Sequence, residues 1–239
     1  MPVDQPDMSF VPFRTTERRR KRRTLDQARV VQAALDLLDE VGLDELTMRR
    51  LAEQLGVKAA SLYRHVRNKD ELLALLGDEI SAEIPLPRTT GSWRDQLTES
   101  AWNVRRGLLA HRDGARVLAS TPPAGPRRLR HIEAVLRILR EAGLNDRDAA
   151  RAAYHLNNVV TEFAADEGRL ATFTAEVPGM TRRRALAEMR RQFKSLPIDQ
   201  YPTIVALADQ LTDGDQDALF QSGIDLCLRG VEALATHKK

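Results

Sequence analysis

Arg49, Lys58, Ser61, Tyr63, Arg64, His65 and Lys69 bring positive charge, hydrogen-bond donors and one aromatic ring into a single stretch, LTMRRLAEQLGVKAASLYRHVRNK. Side chains of these kinds bind phosphates and base edges when one helix presents them together. The spacing predicts such a helix. Thr47 reads as an N-cap, its hydroxyl placed to accept from an N–H that opens a helix. Met48, Leu51, Ala52 and Leu55 then share one face at 3/4 spacing, and Gly56 can take the positive φ of an abrupt helix end. A second helix is predicted over 58–66, with Leu62 and Val66 inward and Lys58, Ala59, Ser61, Tyr63, Arg64 and His65 outward. Ala52 is small enough to let this helix cross closely. The pair fits a reading head for a major groove. The same two helices and glycine turn also serve helical proteins that never touch DNA.

The rest of the chain reads as further helices that position this unit. A capping-box pattern at Thr24 and Gln27 starts a helix over 25–41, buried through Val30, Ala34, Leu37, Leu38 and Val41 and stopped by Gly42. Asn68, with Glu71 as reciprocal partner, opens a helix whose Leu72, Leu73, Leu75, Leu76 and Ile80 make a wide apolar face, ending near Glu83 before Pro85. Pro85, Pro87 and Gly91 mark a linker. Ser92 with Asp95 opens the next helix, carrying Trp93, Leu97, Ala101, Val104 and Leu108. A short helix follows from His111-Arg-Asp-Gly-Ala-Arg-Val117 and ends at Thr121-Pro-Pro123. Beyond it helices are expected over 126–142, 145–168, 182–193, 202–211 and 217–235, with a loop over 171–180 around Pro178 and Gly179. The expected fold class is all-α.

Composition excludes several functions. The 239 residues are 30% charged and 42% apolar, which suits a protein with a sizeable core. No apolar run approaches the roughly 20 residues that cross a bilayer, so no membrane role is expected. The charged N-terminus lacks a signal-peptide core, and the single Cys227, set among Ile224, Leu226 and Leu228, fits a reducing cytoplasm. No phosphate-cradling glycine loop, metal-ligand cluster or nucleophile motif occurs, so neither an enzyme, a metal nor a cofactor is expected; His111 and Asp113 read as a helix-end pattern. Arg14, Arg18, Arg19, Arg20, Lys21, Arg22 and Arg23 face only Glu17 in their stretch. That block is either a solvated tail or an arm that follows phosphates beside the reading head.

The order LTxRxLAxxLGVxxxSLYxHVxNKxxLL, beginning at Leu46, resembles the DNA-binding domain of the TetR family of transcriptional repressors. Trp93 and the His111–Val117 segment resemble the family's core domain, so the likeness is strong over about 25–120 and weaker beyond. The resemblance implies a basic arm over 1–23, a three-helix helix-turn-helix domain with its linking helix over 24–84, and a helical effector-binding and dimerisation domain over 85–239. It implies that Arg49 and the segment from Ala59 and Ala60 to Arg64 face base edges, while Thr47, Lys58, Tyr63, His65 and Lys69 contact phosphates. The helix over 145–168 and the last one would form the four-helix bundle of a homodimer. Positions aligned with the drug and magnesium ligands of the family's tetracycline-binding members read Ala82, Ser100, Val104, Leu118 and Ala134, with Thr121 retained. Leu118 replaces the imidazole that would hold the metal, which excludes a magnesium–drug chelate as effector. Trp102, Asn103, His131, His155, Asn158 and Glu162 are the polar candidates for the altered pocket, with Val104 and Leu118 making it more apolar; a lone His or Asn on such a helix also serves as an ordinary core or surface group. The implied function is a cytoplasmic repressor that binds a palindromic double-stranded DNA operator as a dimer and leaves it when a small molecule binds. A transcriptional activator or a non-specific DNA-binding protein fits the same residues.

Overall fold

A computed structural model describes residues 25–236, so the basic run over 14–23 and Thr24 lie outside the described residues. The described residues form helices and connecting turns, in the order α1 Gln27–Val41, α2 Met48–Leu55, α3 Ala59–Leu62, α4 Lys69–Glu83, α5 Trp93–Leu109, α6 Gly114–Ala119, α7 Pro126–Glu141, α8 Asp146–Glu176, α9 Arg182–Lys194, α10 Pro202–Ala206, α11 Ala208–Leu211 and α12 Gln216–Thr236. Side-chain caps start most of the long ones. Thr47 accepts from Arg50 N, Asn68 from Glu71 N, Ser92 from Asp95 N and Asn145 from Asp148 N. Two expected caps differ. Asp26 caps α1 by accepting from Arg29 N, and the Gln27 amide instead donates to His65 O at 3.1 Å. The Glu71 carboxylate accepts from Arg67 N and Arg67 Nε rather than from the backbone of Asn68.

Three element boundaries depart from the sequence reading. The helix expected over 58–66 is regular only at Ala59–Leu62, and a tight turn through His65, closed by His65 N to Leu62 O, completes it. Helix α8 runs through the expected loop to Glu176, because Leu170 and Phe173 continue its spacing and the first real barrier is Pro178. The segment over 202–211 is two short helices that break at Leu207, where φ and ψ are −99° and 10°.

Two apolar clusters make the core. One fills α1 to α4 with Val30, Leu38, Leu51, Leu62, Val66 and Leu72, and runs without interruption into Leu108, Val117, Leu118 and Ala164 of the body. The other holds Leu97, Ile138, Leu156, Phe220, Ile224 and Leu228. Burying each such side chain stabilises the fold by roughly 1.5–3 kcal/mol. Helix α4 belongs to both worlds: Leu72 and Leu76 pack in the first cluster while its last turn reaches α7. In the body, the Arg105 guanidinium lies 4.9–5.4 Å from the ring centres of Trp102, Phe163 and Phe220 and pairs with Glu167 and Asp217. One cation thereby ties α5, α8 and α12 together.

Candidate functional site

The first candidate site is the outer face of α2 and α3. Helix α2 ends in a Schellman turn: Gly56 is left-handed (φ 64°, ψ 35°), Gly56 N donates to Glu53 O and Val57 N to Ala52 O. That turn redirects the chain so that Leu62 and Val66 plunge into the core, at 0% and 1% exposure, against Leu51 and Ala52. With the inner face anchored by two residues, everything else on α3 points out. Lys58, Ala59, Ala60, Tyr63 and Arg64 are exposed, Ser61 and His65 half so. Arg49 projects from α2 with its side chain 84% exposed, 3.8 Å from Glu53. Thr47 spends its oxygen on the α2 cap but keeps its hydroxyl proton. Lys69 Nζ rests 3.5 Å from Leu43 O, at the edge of the same face. All ten residues singled out for DNA contact are therefore exposed or half-exposed, on α2 and α3, on the turns that flank them or, for Lys69, at the start of α4.

A ring of polar contacts holds this head to the body. His111 Nδ1 meets Asp39 at 3.0 Å and Nε2 meets Glu83 at 3.1 Å. Arg112 N donates to Asp39, Asp113 Oδ2 accepts from Leu43 N at 2.8 Å, and Arg116 forks onto Asp44. Asp113 adopts φ 58°, the one left-handed non-glycine among the described residues, and its backbone strain buys that link across the junction. Burial lowers the His111 pKa, but hydrogen bonds to Asp39 and Glu83 and their charges outweigh it, for a net rise above 6.5. The sequence reading took His111 and Asp113 as a helix end; their partners Asp39, Leu43 and Glu83 are distant in the chain, so no local signal could have revealed the latch.

The second candidate site is a cavity of about 410 Å³ between α4, α5, α6, α7 and α8. Ile84, Val104, Leu118, Ile132, Val135 and Leu136 give it apolar walls, and Ser100, Arg128, His131, Tyr154 and Asn158 add polar points. Of the residues proposed from sequence, Val104, Leu118, His131 and Asn158 line it. The others sit elsewhere. Trp102 Nε1 donates to Gln221, and the ring packs edge-on against Phe220. Asn103 bridges Pro85 O and Arg106. Thr121 lies behind the wall, its oxygens accepting from Arg128. His155 and Glu162 are exposed on α8, off the face that Ala150, Ala153 and Val160 turn to the cavity. Sequence reasoning missed Arg128, Ser81 and Tyr154. Nothing distinguishes Arg128 from the exposed Arg127 and Arg130 beside it until the fold turns it inward.

The cavity's polar groups are structural ties as well. His131 Nε2 lies 3.0 Å from the Ser81 carbonyl, to which it donates, and Nδ1 is buried with no hydrogen-bond partner among the described residues. Asp78 of α4 caps α7 from a distance: its Oδ1 accepts from Arg127 N at 2.9 Å and Arg128 N at 3.0 Å. Gly125 makes room for that carboxylate, since a Cβ there would fall 2.1 Å from Asp78 Oδ1. Helix α4 thus joins the reading head at one end to the cavity wall at the other.

Comparison with known proteins agrees with this geometry. A family profile described as bacterial regulatory proteins, tetR family, matches residues 30–76, and one described as tetracyclin repressor-like, C-terminal domain, matches residues 85–235. Tetracycline repressor protein class A from transposon 1721 of Escherichia coli is 35% identical over 205 residues, covering 84% of this chain and 88% of that protein. The structure of the Streptomyces coelicolor protein ActR in complex with actinorhodin superposes with a TM-score of 0.79 at 37% identity, over 89% of this chain and 99% of that one. That of BioQ with its double-stranded DNA operator does so with a TM-score of 0.64 at 28% identity, over 88% and 99%. With a helix-turn-helix head, an all-helical body and full-length relatives of both, the chain belongs to the TetR family of bacterial transcriptional regulators.

Proposed function

We propose that the protein is a homodimeric, ligand-responsive repressor that binds a palindromic operator through α2 and α3 and leaves it when a small molecule fills the cavity. The observation that carries this reading is α4: one rigid helix roots the reading head in its own core and supplies Ser81 and Ile84 to the cavity wall. We put the division between head and body at 84/85, just after the Ile84 C-cap of α4. Arg49 and Arg64 read base edges, with Ala59, Ala60 and Ser61 able to approach a thymine methyl or a phosphate. Thr47, Lys58, Tyr63, His65 and Lys69 hold phosphates and set the register. Two such heads, about 34–36 Å apart across a two-fold axis, meet successive major grooves on one side of the duplex. Relatives solved with actinorhodin and with an operator support both halves of the reading. Exposed Leu219, Leu226 and Leu234 on α12 supply an apolar face for the partner protomer.

Ligand and DNA then compete through geometry. A molecule that fits the DNA-free arrangement better shifts the population towards it, and a few ångströms of α4 movement unseat one head. The protein performs no catalysis and works in the cytoplasm; among the described residues no helix is long and apolar enough to cross a membrane. Selection of bound sites from random duplexes tests the proposal. It should enrich a palindrome with half-sites about 10 base pairs apart, centre to centre. Enrichment of single half-sites, or of no sequence, would reject the two-headed reading.

A further inference from the structure

The charge of the cavity narrows its ligand. Arg128 is its charged lining residue, and among the described residues no carboxylate lines it. We propose that the effector is an anion, a carboxylate or acidic phenol carried on an apolar frame, with its charge held by Arg128. The proposal rests on the reading of this cavity as the effector site.

Arg128 is held in place by neutral groups. Nη1 donates to Thr121 O and Thr121 Oγ1, each at 3.0 Å, and Nη2 to Leu118 O at 2.9 Å. These bonds use both hydrogens of Nη1 and one of Nη2. The Nε–H and the second Nη2–H lie side by side on the other edge, and no hydrogen bond among the described residues occupies them. Two parallel donors at that spacing match the two oxygens of a carboxylate. The nearby Asp78 does not fill the role. Its Oδ1 is taken by the first turn of α7, and its Oδ2 faces Arg127 Nη1 at 3.6 Å. Burial accordingly pulls the Arg128 pKa down, and the attraction of Asp78 restores only part of it. A cation with this little compensation gains from a ligand that brings the missing charge. The Ile132, Val135 and Leu136 wall suits the apolar remainder.

The same contact reaches the reading head. A ligand anion on the free edge of Arg128 adds its charge beside Asp78 of α4, which attracts the same guanidinium, and pulls on a side chain whose other donors hold Leu118 O and Thr121 O at the end of α6. Helix α6 follows directly from the His111–Asp113 latch on the head. An anion is therefore placed to move both elements that connect cavity and head, and a neutral isostere is not.

Calorimetric titration of the full chain with anthraquinone carboxylate and with the matching carboxamide separates the possibilities. The acid should bind at least about tenfold more tightly than the amide, the size expected of one added charge-assisted fork. Arg128→Gln should bring the two within about threefold of each other and Arg128→Lys should retain part of the preference, in proteins whose helical circular dichroism and dimer elution are unchanged. Equal binding of acid and amide by the unaltered protein, which needs no variant, would overturn the proposal, as would a preference that survives Arg128→Gln. If neither probe binds, or Ala153→Trp in the cavity wall fails to weaken them, the cavity reading itself falls and the anion goes with it.

Discussion

The reading head and the cavity solve opposite problems. The head displays its chemistry outward from one short helix, whose inward anchors are Leu62 and Val66, so its exposed side chains are not themselves the struts of the fold. The cavity collects its lining from five helices, and its polar residues also hold those helices together: Arg128 ends α6, His131 meets the Ser81 carbonyl, and Asp78 beside them caps α7. On the proposed reading, specificity for DNA can therefore be retuned one residue at a time. On the same reading, specificity for a ligand cannot be altered without disturbing the bonds that join these helices, which is the arrangement a switch requires.

The largest effect should come from the anchor of the head. Leu62→Ala removes a fully buried side chain and should cost about 2–5 kcal/mol in urea unfolding and abolish operator binding. An unchanged midpoint would mean that α3 is not held by its inward leucine. Next comes the cavity strut. Gly125→Ala puts a methyl group 2.1 Å from Asp78 Oδ1 and should cost about 1–3 kcal/mol. Gly56→Ala in the head meets no atom within 4 Å and carries only the strain of φ 64°, about 1 kcal/mol. Should Gly56→Ala prove the more damaging of the two, the contrast between a loosely fastened head and a tightly tied cavity fails.

At the DNA, Arg49→Ala and Arg64→Ala should each lower discrimination between operator and random duplex by about 1–3 kcal/mol, while Lys69→Ala weakens both alike. Equal losses on both DNAs for all three variants, in a filter-binding titration, would dissolve the division between base and phosphate contacts. The smallest effect concerns the junction. His111 titrates above its ordinary 6.5 when folded, so its contribution to stability is complete below that value and fades as pH rises through the folded pKa. Stability measured across this window should fall less steeply in His111→Gln. Parallel curves for the two proteins would show that the latch does not depend on the imidazole charge.

Much of the fold was legible because its signals are local. Thr47, Asn68, Ser92 and Asn145 each cap a helix three residues from the N–H they accept, and Gly56 ends α2 through bonds to the residues just before it. Inward and outward faces of α2 and α3 follow from the 3.6-residue period, which is why every proposed DNA contact is at least partly exposed while Leu62 and Val66 are buried. Where local signals compete, the reading strayed: Pro178 and Gly179 drew the end of α8 too early, and the capping-box pattern at Thr24 and Gln27 obscured Asp26.

By itself, then, the order of residues determined an all-helical chain with a helix-turn-helix head, and which side chains that head turns outward, since period and capping act within a turn or two. Only the tertiary structure decided that Arg128 and not His155 or Glu162 faces the cavity, that Asp78 caps a helix far along the chain, and that His111 and Asp113 latch body to head. These depend on how whole helices cross, and the crossing is set by the summed packing of cores such as Leu62–Leu118 and Leu97–Phe220, to which no single residue's neighbours in sequence bear witness.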